Sequence, residues 1–151
     1  MSDEAESAPR IVVGVDGSES SKAALRWAAR HAGLIGGVVE TIIAWEYPYY
    51  WFGWSGPVEE PVDWEDSARK TLTEAIGETI GPDRRVEIHA RVLQGNPAGV
   101  LTNAAQGAEL LVVGHRGYGG FTQVLLGSVA HQCAQRASCP VLVIRGPGGA
   151  R

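Results

Sequence analysis

Five short apolar runs alternate with helix-like segments along this chain, and that alternation limits the fold more than any other feature. Arg10–Val15 (RIVVGV) reads as a buried strand ending in the turn Asp16-Gly17-Ser18. Ser20–Leu34 is alanine-rich with apolar residues at helical spacing, and Gly33 and Gly36-Gly37 are expected to stop it. Val38–Ala44 is β-branched and reads as a second strand. Asp63 can cap a helix over Trp64–Ile80, ended by Gly81-Pro82. Val86–Val92 alternates in polarity, as a half-exposed edge strand does. Asn96-Pro97 places a capping residue before the first helical position, opening a helix that reaches about Gln106. Glu109–Gly114 is a fourth, apolar strand, Ser128–Arg136 the last helix and Val141–Ile144 the last strand. The order β-α-β-α-β-α-β-α-β specifies an α/β fold with a mainly parallel sheet covered on both faces.

With 151 residues the chain suits a single domain over residues 10–145, and Met1–Pro9 and Gly146–Arg151 read as flexible tails. A net charge of −4 argues against a general nucleic-acid binder, which carries a basic stripe. No apolar run approaches the roughly 20 residues of a membrane span. The first residues lack the basic and apolar regions of a secretory signal. Cys133 and Cys139 fit neither a redox CxxC nor a zinc spacing, so the expectation is a reduced, cytoplasmic chain. Residues 46–62 break the alternation. This long segment holds Tyr47, Tyr49, Tyr50, Trp51, Phe52 and Trp54 among prolines and glycines. So much apolar surface packs on the domain, covers a ligand or meets a protein partner.

Parallel sheets of this kind bind ligands beyond the carboxyl ends of their strands, where the strand order reverses. The first and fourth strands have the most polar and glycine-rich exits, Gly14–Ser18 and Gly114–Gly120. In the second of these, glycines let backbone N–H groups approach an anion. Gly127-Ser128 opens a helix, whose N-terminus attracts phosphate. The Ser128 hydroxyl either contacts a phosphate or caps the helix, and His115 and Arg116 either add positive charge or are solvated. The loop is not a Walker A sequence, since no Gly-Lys-Ser/Thr stands at the required spacing. It is not a GxGxxG fingerprint, since Thr122 stands where the third glycine belongs.

Gly114-x2-Gly117-x9-Gly127-Ser128 resembles the ATP-binding signature of the universal stress protein family. Ile11–Ser18 (IVVGVDGS), Gly95-Asn96-Pro97-Ala98, Leu111–Ser128 and Cys139–Ile144 (CPVLVI) resemble further segments of that family, in the same order. The resemblance implies a Rossmann-like, adenine nucleotide alpha hydrolase-like three-layer sandwich with a five-stranded parallel sheet of order 3-2-1-4-5. It implies ATP, with Mg²⁺, in the cleft between the first and fourth strands. Gly14 and Val15 would lie on the nucleotide, and Asp16 would face the ribose and the metal-phosphate region. The backbone of Ala44 would read the adenine edge. Gly114, Arg116 and Gly117 would line ribose and phosphates, and Gly127, Ser128 and Val129 would hold phosphate from the helix N-terminus. Where some members carry proline two residues before the aspartate, this chain has Gly14, which either enlarges the adenine pocket or is a plain variant. Asp16 also has a local reading, as an Asx-turn residue.

No Gly-x-Ser-x-Gly elbow is present, and His31, His89 and His131 stand isolated in helices or strands. The expectation is therefore a nucleotide-dependent regulator or sensor in the stress response. A cyclic-AMP binder of the same fold and a slow ATP hydrolase are the alternatives. The apolar last strand, Val141–Ile144, is expected to pair two copies into a homodimer.

Overall fold

The computed structural model describes residues 7–47, 63–81, 85–117 and 126–146. Five strands, β1 (Arg10–Gly14), β2 (Val38–Trp45), β3 (Ile88–Gln94), β4 (Leu110–Gly114) and β5 (Val141–Ile144), form one parallel sheet of order β3-β2-β1-β4-β5. Between them run α1 (Glu19–Ile35), α2 (Trp64–Thr79), α3 (Pro97–Ala104) and α4 (Ser128–Arg136). The expected fold class and strand order are those observed.

Alternation within the central strands builds two cores. Ile11 and Val13 of β1 and Val112 of β4 face α1 and α2, packing with Leu25, Ala28, Leu72 and Ile76. Val12 of β1 and Leu111 and Val113 of β4 face α3 and α4, packing with Leu101, Ala130 and Cys133. A central strand buried on both faces has no polar side, which is why these runs read as continuously apolar.

Three helices start on a side-chain cap. Ser18 accepts the Ser21 N–H (3.3 Å), Asp63 the Asp66 N–H (2.9 Å) and Asn96 the Gly99 N–H (3.1 Å). Each satisfies one of the donors that a helix N-terminus leaves unpaired. Helix α1 closes on Gly36 in the left-handed region (φ 70°), whereas Gly33, expected to help stop it, lies inside the helix. Helix α3 ends at Ala104 instead of Gln106, because the chain turns at Gly107 (φ 78°). Strand β3 is displaced from the expected 86–92 to Ile88–Gln94. Its ends follow pairing with β2, from Ile88 beside Val39 to Gln94 beside Trp45, and not its own alternation. It is an edge strand, as expected.

At the amino ends of the strands Arg10 joins three elements: Glu40 of β2 (2.9 Å), the Gln106 carbonyl (2.9 Å) and the Ala104 carbonyl (3.3 Å) at the end of α3. A cation suits the carboxyl end of a helix. Pro9, assigned to a tail, accepts the Val38 N–H (2.9 Å), and Gly146 is buried against Ser20. The aromatic residues from Tyr49 to Trp54 lie outside the described residues; Tyr47 packs edge-to-face on Trp45, with ring centres 5.4 Å apart. Beyond Gly117, the glycine-rich exit of β4 also passes outside them, over residues 118–125.

Cys133 of α4 is fully buried, and burial pushes its thiol up to about 11. Cys139 is half-buried, and burial also raises its thiol. Thiolate is the reactive form. At pH 8 the folded chain is expected to give one thiol, Cys139, to a disulfide reagent, and the second only in denaturant. Two fast thiols in the native protein would contradict this packing.

Candidate functional site

The carboxyl ends of β1, β2 and β4 open into a cavity of about 670 Å³ on the α3–α4 side of the sheet. Strands β1 and β4 are direct neighbours there, with Val13 beside Val112. The chain reverses its strand order between them, which is where a crevice forms in such sheets. The adjacency that alternation alone left as an inference is thus present.

All ten residues selected from the sequence lie on this cavity. Gly14, Val15 and Asp16 come from the exit of β1 and Ala44 from the end of β2. Gly114, Arg116 and Gly117 come from the exit of β4. Gly127, Ser128 and Val129 come from the start of α4. The wall also includes residues the sequence did not single out: Ser21 of α1, Pro97 and Leu101 of α3, and His131 of α4. For His131 the signal was available, because positions three apart on a helix share a face with Ser128.

Leu101 answers the question raised by Gly14. A Cβ placed on Gly14 would lie 2.6 Å from Leu101 Cδ1. The space that a larger residue on β1 would take is filled from α3, so Gly14 does not enlarge the pocket.

Asp16 makes the Asx-turn of its local reading and also lies on the cavity wall. Its Oδ1 accepts the Ser18 N–H (2.8 Å), closing an Asx-turn, while its backbone N–H donates to Ser21 Oγ (3.2 Å). Its Oδ2 faces Gly117, where an added Cβ would come within 2.6 Å. A side chain at 117 would displace that carboxylate from its present position. The carboxylate itself is exposed on the cavity wall.

The β4 exit is held from two directions. Its Arg116 carbonyl accepts from Ser20 Oγ at the start of α1. The His115 carbonyl accepts the Gly127 N–H (2.6 Å), drawing the start of α4 onto the loop. Gly127 is the N-cap residue of α4 and, being glycine, brings no side-chain cap of its own. Ser128 is thus the first residue of the helix and not its cap. Ser128, Val129, Ala130 and His131 of the first turn line the cavity, and the cap position brings no side-chain acceptor to their N–H groups. Helix N-termini carry partial positive charge and bind anions.

His115 differs from the solvated loop residue allowed by the sequence: it is 5% exposed. Burial foremost, and then the charges of Arg116 and Arg145, lower its pKa from the usual value. A hydrogen bond to the Ile144 backbone acts in the opposite direction, more strongly than the Arg145 charge lowers it. His31 stacks on Trp27 (ring centres 4.7 Å apart) and His89 pairs with Glu87 on the surface, both away from the cavity.

Mg²⁺ is commonly held by one or two carboxylates together with substrate phosphates. Among the described residues no cluster of three or more histidine, cysteine or carboxylate groups is placed to bind a metal. Among the described residues on this wall Asp16 is the one carboxylate, and it would suit the first pattern, with phosphate and water supplying the other ligands.

A profile of the universal stress protein family matches residues 8–145. This chain belongs to that family. It is 31% identical over 147 residues to a universal stress protein of Mycobacterium tuberculosis and 33% identical over 144 residues to one of Mycolicibacterium smegmatis. These alignments cover 89% and 90% of this chain but 47% and 48% of the relatives, so the chain spans about half the length of the curated relatives it matches. Among solved structures, it is similar to a universal stress protein in complex with cAMP, with 27% identity and a TM-score of 0.67 over 93% of this chain and 98% of the other. It is also similar to the universal stress protein from Archaeoglobus fulgidus in complex with dAMP, with 25% identity and a TM-score of 0.63 over 91% and 97%. Among the described residues, no helix is long and apolar enough to cross a membrane.

Proposed function

We propose that this universal stress protein domain binds ATP, with Mg²⁺, and acts as a nucleotide-dependent regulator. The observation that carries the reading is the uncapped start of α4 on the wall of the cavity where β1 and β4 part. Such an N-terminus is suited to the β- and γ-phosphates. Ala44, Ile42 and Leu101 form the apolar end, which suits the base. In our reading the Asp16 carboxylate on this wall faces the ribose and the metal-bearing phosphates. Solved relatives in complex with cAMP and dAMP support an adenine nucleotide as the ligand class.

Titration calorimetry with ATP, AMP and cAMP in the presence of Mg²⁺ tests the reading. The expected order is ATP tightest, because only it reaches the whole helix terminus. A tight cAMP signal without an ATP signal establishes the second reading, a cyclic-nucleotide binder, which the cAMP complex of a relative favours. Phosphate release over hours would instead identify slow hydrolysis, with Asp16 placing the water.

Strand β5 is an edge of the sheet with four half-buried apolar residues. Edge strands pair readily with other chains. In our reading a second copy pairs along Val141–Ile144, giving a homodimer whose two sites respond together to nucleotide. The aromatic segment, most of which lies outside the described residues, is assigned to a protein partner or to cover over the nucleotide.

A further inference from the structure

Of the four histidines in the chain, three are accounted for by their surroundings. His31 stacks on Trp27, His89 pairs with Glu87, and His115 is buried with its ring bonded to Arg116. His131 differs from all three: it is exposed, and it lies on the cavity wall. Its backbone N–H donates to the Gly127 carbonyl (2.9 Å), whereas its ring has no hydrogen bond or ion pair among the described residues.

The packing of α4 fixes which way this residue is presented. Ala130 and Cys133 are buried in the core beneath the helix, and Val129 packs against that core. These contacts set the rotation of α4 about its axis. Ser128 and His131, three positions apart and both exposed, therefore share a face turned away from the core. Side chains on a helix lean toward its N-terminus, so a residue one turn in covers the surface over the turn before it. For His131 that turn is the one beginning at Ser128, where phosphate is assigned. The glycine at the cap position brings no side chain to this place, and His131 supplies one. An imidazole carries at least one ring N–H in either protonation state, so it always has a donor for a phosphate oxygen.

We propose that His131 contacts the phosphate chain of a bound nucleotide through a ring N–H, and so sets the preference of the site for nucleotide over nucleoside. This deepens the nucleotide reading given above and rests on it. A hydrogen bond to a charged phosphate oxygen is stronger than one between neutral groups, so a single side-chain donor is enough to produce a measurable preference.

Calorimetry with ATP and with adenosine, in the presence of Mg²⁺, compares wild type with His131→Ala, His131→Gln and His131→Glu. Position 131 is exposed, and alanine, glutamine and glutamate all favour helix, so each variant is expected to fold, as circular dichroism checks. Alanine removes the donor, glutamine keeps an N–H and glutamate brings a carboxylate. The expected ATP affinity is about tenfold weaker for alanine, within about threefold of wild type for glutamine and about a hundredfold weaker for glutamate. Adenosine is expected to bind within about twofold of wild type throughout. Equal ATP affinity in His131→Ala and wild type would overturn the proposal. An equal loss for ATP and adenosine would overturn it too, since that marks a structural role.

The contact is read directly from the NMR signals of the imidazole ring, assigned by their absence in His131→Ala. They are expected to move when ATP is added and to stay in place with adenosine. A ring that does not respond to ATP that calorimetry shows to bind overturns the contact and leaves the nucleotide reading standing. A wild-type domain that binds neither ATP nor adenosine overturns the nucleotide reading, and the contact with it.

Discussion

Gly127→Glu is expected to lower ATP affinity by at least about a hundredfold while leaving the domain folded. Gly127 has φ −68° and ψ 163°, a conformation any residue adopts. A Cβ there would lie 3.2 Å from Arg116 Cα and from the His115 carbonyl oxygen, so the neighbours need to yield only by a few tenths of an ångström. What changes is charge. The substitution brings a carboxylate to the helix terminus assigned to phosphate. Two unit charges about 4 Å apart repel by about 4 kcal/mol at an effective dielectric constant of about 20, which is about a thousandfold in affinity. Salt screening lowers that figure, hence the smaller bound. Calorimetry with ATP measures the effect, and Gly127→Ala, uncharged and similarly crowded, separates charge from crowding. ATP bound by the glutamate variant as tightly as by wild type would remove α4 from the phosphate site.

Gly114→Ala is expected to act on stability, with a cost of about 3 kcal/mol and a melting temperature roughly 6–12 °C lower. Gly114 lies on the cavity through its backbone, but the direction of its missing side chain is toward α1. A Cβ would come within 2.7 Å of the Ser20 carbonyl carbon and 2.8 Å of the Ser21 nitrogen. Both are backbone atoms of the first turn of α1, so the helix itself has to move. That turn carries the Ser20 hydroxyl that holds the Arg116 carbonyl, so the β4 exit moves with it. A thermal melt followed by circular dichroism checks this. An unchanged melting temperature would mean that α1 and β4 are not packed this closely.

These two glycines show how far sequence reasoning reaches here. Both belong to one spaced pattern, and the pattern marks both as special. It does not distinguish a glycine that tolerates a Cβ from one that a neighbouring helix forbids, because spacing does not say what stands opposite the missing side chain. The neighbour that separates them, Ser20, is nearly a hundred residues away along the chain. His115 is a similar case. A histidine in a glycine-rich turn reads as a charge for the ligand or as a solvated residue, and only the packing of β5 and the start of α4 around it buries it and lowers its pKa.

The elements themselves were legible because their causes are local. Capping residues Ser18, Asp63 and Asn96 announce their helices within a few positions. Strands buried on both faces read as apolar runs wherever they stand in the sheet. Strand β3 was located less well, because an edge strand is bounded by its partner. Its limits are those of β2.

The sequence by itself determined the α/β alternation, the family, and the two strand exits that meet at one cavity. These depend on residue type and spacing over short stretches of chain. Tertiary structure alone decided the roles within that cavity. It set Leu101 against Gly14 and the Asp16 carboxylate against Gly117. It left α4 without a side-chain cap and tied Arg116 to His115. Each of these depends on which atoms approach within a few ångströms across different elements, and periodicity carries no information about such distances.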